Sequence, residues 1–260
     1  MFIEGVWPAA LYDAIQGRML HHKHGGRLQD RVQDSSQFVN RRYSLAAGGD
    51  AEAACIHALF SDAAVKVALL AKFYVEPTVA LAESLTIHHE FEFVYTAAGR
   101  FQDIHVDIPP KFLSFVFYLP EAPVNARDEE LNATILYDRT LAPHHTAKYR
   151  ANSVCVFAPH FHSYHGFAST IDRNVLVMFY ISQAAQSEWA KRSADEPPYI
   201  SLKAAIQDKL TAHPLLEYGR DRGRLLEERD RCLVNAPKGR VMRNDQGPPA
   251  PPSEEAPARG

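Results

Sequence analysis

A chain of 260 residues with 46% hydrophobic and 23% charged residues can bury one sizeable core without covalent staples. Its formal net charge of -3, with both signs interspersed, argues against the basic stripe of a nucleic-acid-binding protein. Cys55, Cys155 and Cys232 are odd in number and far apart, which argues against a disulfide framework and for a reducing compartment.

The first residues, MFIEGVWPAALYDAI, lack a basic segment followed by an apolar stretch, so no secretory signal is expected. No run approaches the roughly 18 apolar residues of a membrane span. The expectation is a cytoplasmic protein without membrane contact. Residues 8–24 predict a helix: Pro8 suits its first turn, and Leu11, Tyr12, Ile15 and Met19 fall on one face. The His21-His22-x-His24 cluster reads as the polar end of that helix, where cations are favoured. Residues 25–49 are polar and are expected to be irregular, ending at Gly48-Gly49; Arg31, Asn40, Arg41, Arg42 and Tyr43 read as a solvated loop able to meet an anionic substrate. Residues 50–73 are Ala-rich and predict one or two helices, with Asp50 and Ser61 as caps.

From about residue 90 to 182 the period shifts towards two. Short runs of β-branched and aromatic residues (EFEFVY, FLSFVFYL, ATILYD, SVCVFA, NVLVMFYI) alternate with turn-rich breaks, which predicts an antiparallel sandwich or barrel. Residues 183–235 return to a helical pattern, and the Pro-rich end, 236–260, cannot bury enough surface to fold. The expected organisation is an N-terminal helical layer (1–89), a β core (90–182), C-terminal helices (183–235) and a disordered tail (236–260).

Residues 104–108 read Ile-His-Val-Asp-Ile. On an extended strand His105 and Asp107 point to the same side, so an imidazole and a carboxylate can share a cation. Alone, such a spacing is common by chance. Some 60 residues on, PHFHSYHGF offers His160, His162 and His165 as a third ligand, and the residues themselves leave that choice open. Two histidines and one carboxylate leave three positions open on an octahedral ion, which suits non-haem Fe(II). Arg173 then interrupts an apolar strand; aimed inward, it needs an anionic partner. A dicarboxylate would supply one through a bidentate pair.

His105-x-Asp107, then His165-Gly166, then Arg173 eight residues later resembles the Fe(II)/2-oxoglutarate-dependent oxygenase superfamily, in particular its prolyl-hydroxylase-like branch. HVDIPPKFLSFVFYLPE and ANSVCVFAPHFHSYHGF are similar to the segments around the family's two ligand sites; the likeness spans about residues 91–182. It implies an α+β fold with a double-stranded β-helix (jelly-roll, cupin-like) core between N- and C-terminal helices. It implies that His105, Asp107 and His165 hold Fe(II), and that Arg173 pairs with the distal carboxylate of 2-oxoglutarate. Tyr118 and Tyr95 resemble tyrosines that line the cosubstrate pocket. Dioxygen is the second cosubstrate, and ascorbate is expected to stimulate turnover. Relatives that halogenate carry a small residue in place of Asp107, so the carboxylate points to hydroxylation of a C–H bond. Two departures stand out: Val175 replaces the common Ser or Thr two residues after the arginine, and Asn132 or Thr134 stands where many relatives have Gly-Thr. The substrate is expected to be a small molecule, such as an amino acid or a natural-product intermediate. A protein or peptide residue is the alternative, and a non-catalytic cupin-like metal-binding protein a third.

Overall fold

The computed structural model describes residues 1–32, 39–46, 51–73, 79–84, 86–105, 107, 110–138, 142–159 and 163–183. In chain order the first elements are β1 (Phe2–Glu4), α1 (Ala9–His24), β2 (Gln29–Val32), β3 (Val39–Ser44), α2 (Ala51–Ser61), α3 (Ala63–Leu70) and α4 (Val79–Ser84). Then come β4 (Ile87–Thr96), β5 (Phe101–His105), β6 (Lys111–Tyr118), α5 (Ala126–Leu131), β7 (Thr134–Tyr137), β8 (Pro143–Ala147), β9 (Ser153–Phe157), β10 (His165–Ala168) and β11 (Arg173–Ser182).

The strands form two antiparallel sheets, one in the order β1-β9-β6-β11-β4-β3-β2 and the other β5-β10-β7-β8. β11 lies between β4 and β6 and is buried along its whole length, which is why it reads as an unbroken apolar run from Val175 to Ile181. Its alternate residues serve two cores. Leu176, Met178 and Tyr180 face the helices, packing with Phe91, Phe93, Phe115 and Phe117 against Ile15, Met19, Ile56 and Phe60. Val175, Val177, Phe179 and Ile181 face the other way, into a second core with Val94, Tyr118, Phe157 and Ala147 of β8. The large sheet therefore has helices on one face and the small sheet on the other. Each of the Val, Leu, Ile, Met and Phe side chains among these contributes on the order of 1.5–3 kcal/mol by leaving water.

The helix expected at 8–24 forms at Ala9–His24 and buries Tyr12, Ile15, Met19 and His22. Asp62, not Ser61, caps the next break: Ser61 ends α2, and the Asp62 carboxylate accepts from the Val65 N–H at 2.9 Å. Asp50 lies outside the described residues.

The stretch expected to be irregular, 25–49, instead contains the β2–β3 hairpin, which extends the large sheet beyond β4. Its alternation is broken because both faces carry polar residues: Arg41 shares the helix side with Tyr43, and Asn40 and Arg42 take the opposite face. The N-terminal region is thus more than a helical layer, since it supplies β1, β2 and β3 to the main sheet. The first core strand starts at Ile87, slightly before the expected boundary. The helices and tail expected beyond residue 183 lie outside the described residues.

Candidate metal centre

β5 and β10 pair so that His105 stands opposite His165, with ring centroids 4.2 Å apart. The chain leaves β5 after His105, and Asp107 follows. His105, Asp107 and His165 each offer a ligand atom, all within 4.8 Å of one another; among the described residues this is the one cluster of that kind. His160 and His162 lie outside the described residues. His21, His22 and His24 do not form a ligand set: His22 is buried, stacked on Tyr43 at 3.8 Å and edge-on to His21 at 5.7 Å, while His24 reaches Glu121.

The supports of these ligands set their state. The Nδ1 of His165 lies 2.9 Å from the Ser163 carbonyl, so it carries the proton and leaves Nε2 as a lone-pair donor. The Gln102 amide lies 2.9 Å from Nε2 of His105. Asp107 is nearly buried; Ser114 Oγ donates to Oδ2 at 2.5 Å and Lys111 Nζ to Oδ1 at 2.9 Å. Burial alone would raise its carboxyl pKa, but the Lys111 ammonium, followed by His165 and His105, outweighs it and holds the group well below the carboxylate range. Burial pulls the Lys111 ammonium down from its usual range, and the adjacent Asp107 carboxylate opposes that pull.

Arg173 opens β11 and is 2% exposed. Its Nε donates to the Asn132 carbonyl at 3.3 Å and Nη2 to Thr134 Oγ1 at 2.8 Å, and the guanidinium lies 3.9 Å from the Phe167 ring centroid. Among the described residues no carboxylate pairs with it. Burial lowers its pKa, though an arginine starts so high that it stays charged. A buried guanidinium with neutral acceptors only fits a site that takes a carboxylate from outside. Tyr118 lies beside it, ring centroid 5.4 Å from the guanidinium, and donates to Thr134 Oγ1 at 2.7 Å. Burial lifts the Tyr118 hydroxyl far above its ordinary pKa, so it is a neutral donor.

Asp107 is tied to Ser114, which faces Phe179 across the sheet; four residues along β6, Tyr118 faces Val175 near Arg173. Between these ends lie Val175, Val177 and the partly buried Val116. The residues present therefore fit both groups implied by the sequence: a three-donor set for a divalent metal, and a buried cation reached past apolar walls.

Five of the six expected site residues come together in this interior. Tyr95 does not: it faces the helical side, its hydroxyl donates to Asp172 at 3.1 Å, and Lys23 lies over its ring at 4.8 Å. Strand alternation decides this, since Val94 and Thr96 take the inward positions of β4. Val175 brings no hydroxyl to Arg173; the hydroxyls beside it are those of Tyr118 and Thr134. Asn132 offers Arg173 only its carbonyl, its side-chain oxygen accepting instead from the N–H groups of Thr170 and Ile171.

Of the loop residues singled out, Arg42 and Asn40 face the interior side, with Arg42 paired to Glu92 at 2.6 Å. Arg41 and Tyr43 take the opposite face, and the Arg31 side chain is outside the description. Lys111 and Ser114 carried no assignment from sequence. Ser114 was the more visible, as a lone hydroxyl in the apolar run FLSFVFYL.

No protein-family model matches the sequence, and no curated protein matches it. Solved structures do. A prolyl-4-hydroxylase from Pseudomonas putida matches with a TM-score of 0.54 at 18% identity, over 70% of this chain and 92% of its own. A prolyl hydroxylase from Trichoplax adhaerens, in complex with a hypoxia inducible factor oxygen degradation domain peptide fragment, matches with a TM-score of 0.55 at 11% identity, over 74% of this chain and 86% of its own. At these identities the likeness is one of fold: the two-sheet β core with flanking helices is an architecture this chain shares with prolyl hydroxylases, a double-stranded β-helix of the α+β class.

Proposed function

We propose that this protein is an Fe(II)- and 2-oxoglutarate-dependent oxygenase that hydroxylates an unactivated C–H bond of a small molecule. The observation that carries the reading is the His105–Asp107–His165 cluster facing the same interior as Arg173, a buried cation without a carboxylate partner among the described residues. The iron, when bound, would supply oxygen activation coupled to decarboxylation of 2-oxoglutarate to succinate and carbon dioxide. The chain's own residues do the rest. Ser163 fixes the His165 tautomer, and Lys111 and Ser114 hold Asp107 ionised and oriented. Arg173 and the Thr134 hydroxyl receive the distal carboxylate, with Tyr118 holding Thr134 in place, while Val175 and Val177 exclude water along the methylene chain.

The Arg42–Glu92 pair and Asn40, on the inward face of β3 and β4, support a substrate with charged groups, such as an amino acid. The peptide-bound Trichoplax hydroxylase supports the second reading, the same chemistry on a peptide residue.

Purified protein with Fe(II) and ascorbate is expected to convert 2-oxoglutarate to succinate, and a panel of amino acids and proline-containing peptides should reveal which class accelerates it. Asp107→Ala and His165→Ala should each lower succinate release by at least about a hundredfold, the loss expected when a metal ligand goes. Full activity in either variant would remove that residue from the metal site.

A further inference from the structure

We propose that Asp172 is a positioning residue for Arg173: gripped by Tyr95 and Lys23 from outside the pocket, it fixes how the arginine enters β11 and so how its guanidinium meets the distal carboxylate of 2-oxoglutarate; this rests on the function proposed above. Arg173 is the first residue of its strand. It pairs there with Thr96 of β4, and β6 joins the ladder only at Val175. The turn that leads into the strand therefore sets the approach of the arginine. Asn132 holds the start of that turn, its side-chain oxygen accepting from the Thr170 and Ile171 N–H groups. Asp172 is the last link before Arg173.

Three donors from three places in the fold converge on the Asp172 carboxylate. Lys23 Nζ, from α1, lies 2.9 Å from Oδ2, and the Tyr95 hydroxyl, from β4, donates to the same oxygen at 3.1 Å. The Ala98 N–H, in the turn between β4 and β5, donates to Oδ1 at 3.1 Å. Burial alone would raise the carboxyl pKa, but the bonds from Lys23, Ala98 and Tyr95 outweigh it and hold the group below its usual range. Lys23 is itself anchored, to Glu121 at 2.6 Å and over the Tyr95 ring at 4.8 Å, with its side chain only 11% exposed. On the other flank, the Asn174 N–H donates to the Tyr149 hydroxyl at 2.9 Å, and the Asn174 carbonyl accepts from the Leu119 N–H at 3.0 Å. The backbone of Arg173 is thus held from both sides. Tyr95, which does not reach the pocket, acts on it at one remove.

A guanidinium and a carboxylate pair well only when their planes align. Misplacing a positioning group by about 1 Å can cost on the order of a hundredfold. Charge acts with the opposite sign. Asp172 is an anion next in sequence to the cation that receives a carboxylate, so by charge alone its removal should strengthen 2-oxoglutarate binding. Weaker binding would therefore report lost geometry.

The test loads the full-length protein with Co(II) and measures 2-oxoglutarate and pyruvate binding by calorimetry, in the wild type, Asp172→Asn and Tyr95→Phe. Asp172→Asn keeps the size of the side chain and removes its charge. It is expected to bind Co(II) and pyruvate as the wild type does, and to need roughly tenfold more 2-oxoglutarate to saturate. Tyr95→Phe removes one of the three donors and should show the same selective loss to a smaller degree; it serves as the test if Asp172→Asn does not fold. Unchanged or tighter 2-oxoglutarate binding in the variant measured overturns the role of Asp172. An equal loss for pyruvate overturns it too, because pyruvate has no carboxylate for Arg173 to receive. If the Co(II)-loaded wild type binds no 2-oxoglutarate, the proposed function fails and this inference with it.

Discussion

Thr134 Oγ1 accepts from both Tyr118 and Arg173, at 2.7 Å and 2.8 Å. A hydroxyl with both lone pairs engaged keeps its own proton to give away. A carboxylate arriving at Arg173 would meet that proton together with the guanidinium N–H groups. Hydrogen bonds to charged partners contribute about 1.5–3 kcal/mol. Thr134→Val keeps the shape and removes the donor, so it should weaken 2-oxoglutarate binding by roughly tenfold or more. Pyruvate has the same 2-oxo acid head without the distal carboxylate, and its weaker binding should be unaffected. Calorimetry on the metal-loaded protein reads both. Equal losses for the two acids would mean that Thr134 only maintains the shape of the site.

At the scale of elements, α2 meets β4 through two histidines. His57 Nε2 lies 2.7 Å from the Leu45 carbonyl and so carries a proton; its Nδ1, 2.9 Å from His89 Nε2, accepts from that ring. Burial, reinforced by His57, Lys66 and His88, pulls the His89 pKa down to about 4. An unfolded chain protonates this group near its ordinary value of 6.5. Between these values the unfolded state binds more protons, so the contribution is fully present above pH 6.5 and fades as pH falls towards 4. Urea midpoints should therefore drop between pH 7 and pH 5, and His89→Gln should reduce that drop. An unchanged pH dependence in the variant would place the acid sensitivity elsewhere.

Elements also show where sequence was legible. His105 and Asp107 stood out because a spacing of two on a strand puts unlike ligands on one side. Arg173 stood out because a cation at the head of an apolar run needs a reason. The alternation of β4 was legible, since Phe91, Phe93 and Tyr95 share one face while Glu90, Glu92 and Val94 share the other, but the sequence did not say which face meets the site, and it is the one Tyr95 does not share. Lys111 was hidden because a bulge changes which residues face inward, and no periodicity reveals a bulge. The β2–β3 hairpin was hidden because Arg41 shares the helix-side face with Tyr43 while Asn40 and Arg42 take the other, so both faces carry polar residues and the alternation by which strands are recognised is lost.

At the scale of the whole molecule, the centre draws its residues from both sheets. His105 and His165 come from the small sheet, while Arg173 and the supports of Asp107 come from the large one. A metal ion tied to the small sheet and a dicarboxylate tied to both the metal and Arg173 would clamp the sheets together. Ligands that bind only the folded state stabilise it by about 2.7 kcal/mol at a hundredfold excess over Kd. For a domain of this size that corresponds to a rise in Tm of roughly 5–10 °C. Metal-free protein should thus melt lowest, Ni(II) should raise Tm, and 2-oxoglutarate should add a further rise only when Ni(II) is present. Arg173→Met separates the two contributions: the rise due to Ni(II) should persist, and the increment due to 2-oxoglutarate should largely vanish. An increment that survives in Arg173→Met would mean that the dicarboxylate binds away from the large sheet, and the clamp would have to be abandoned.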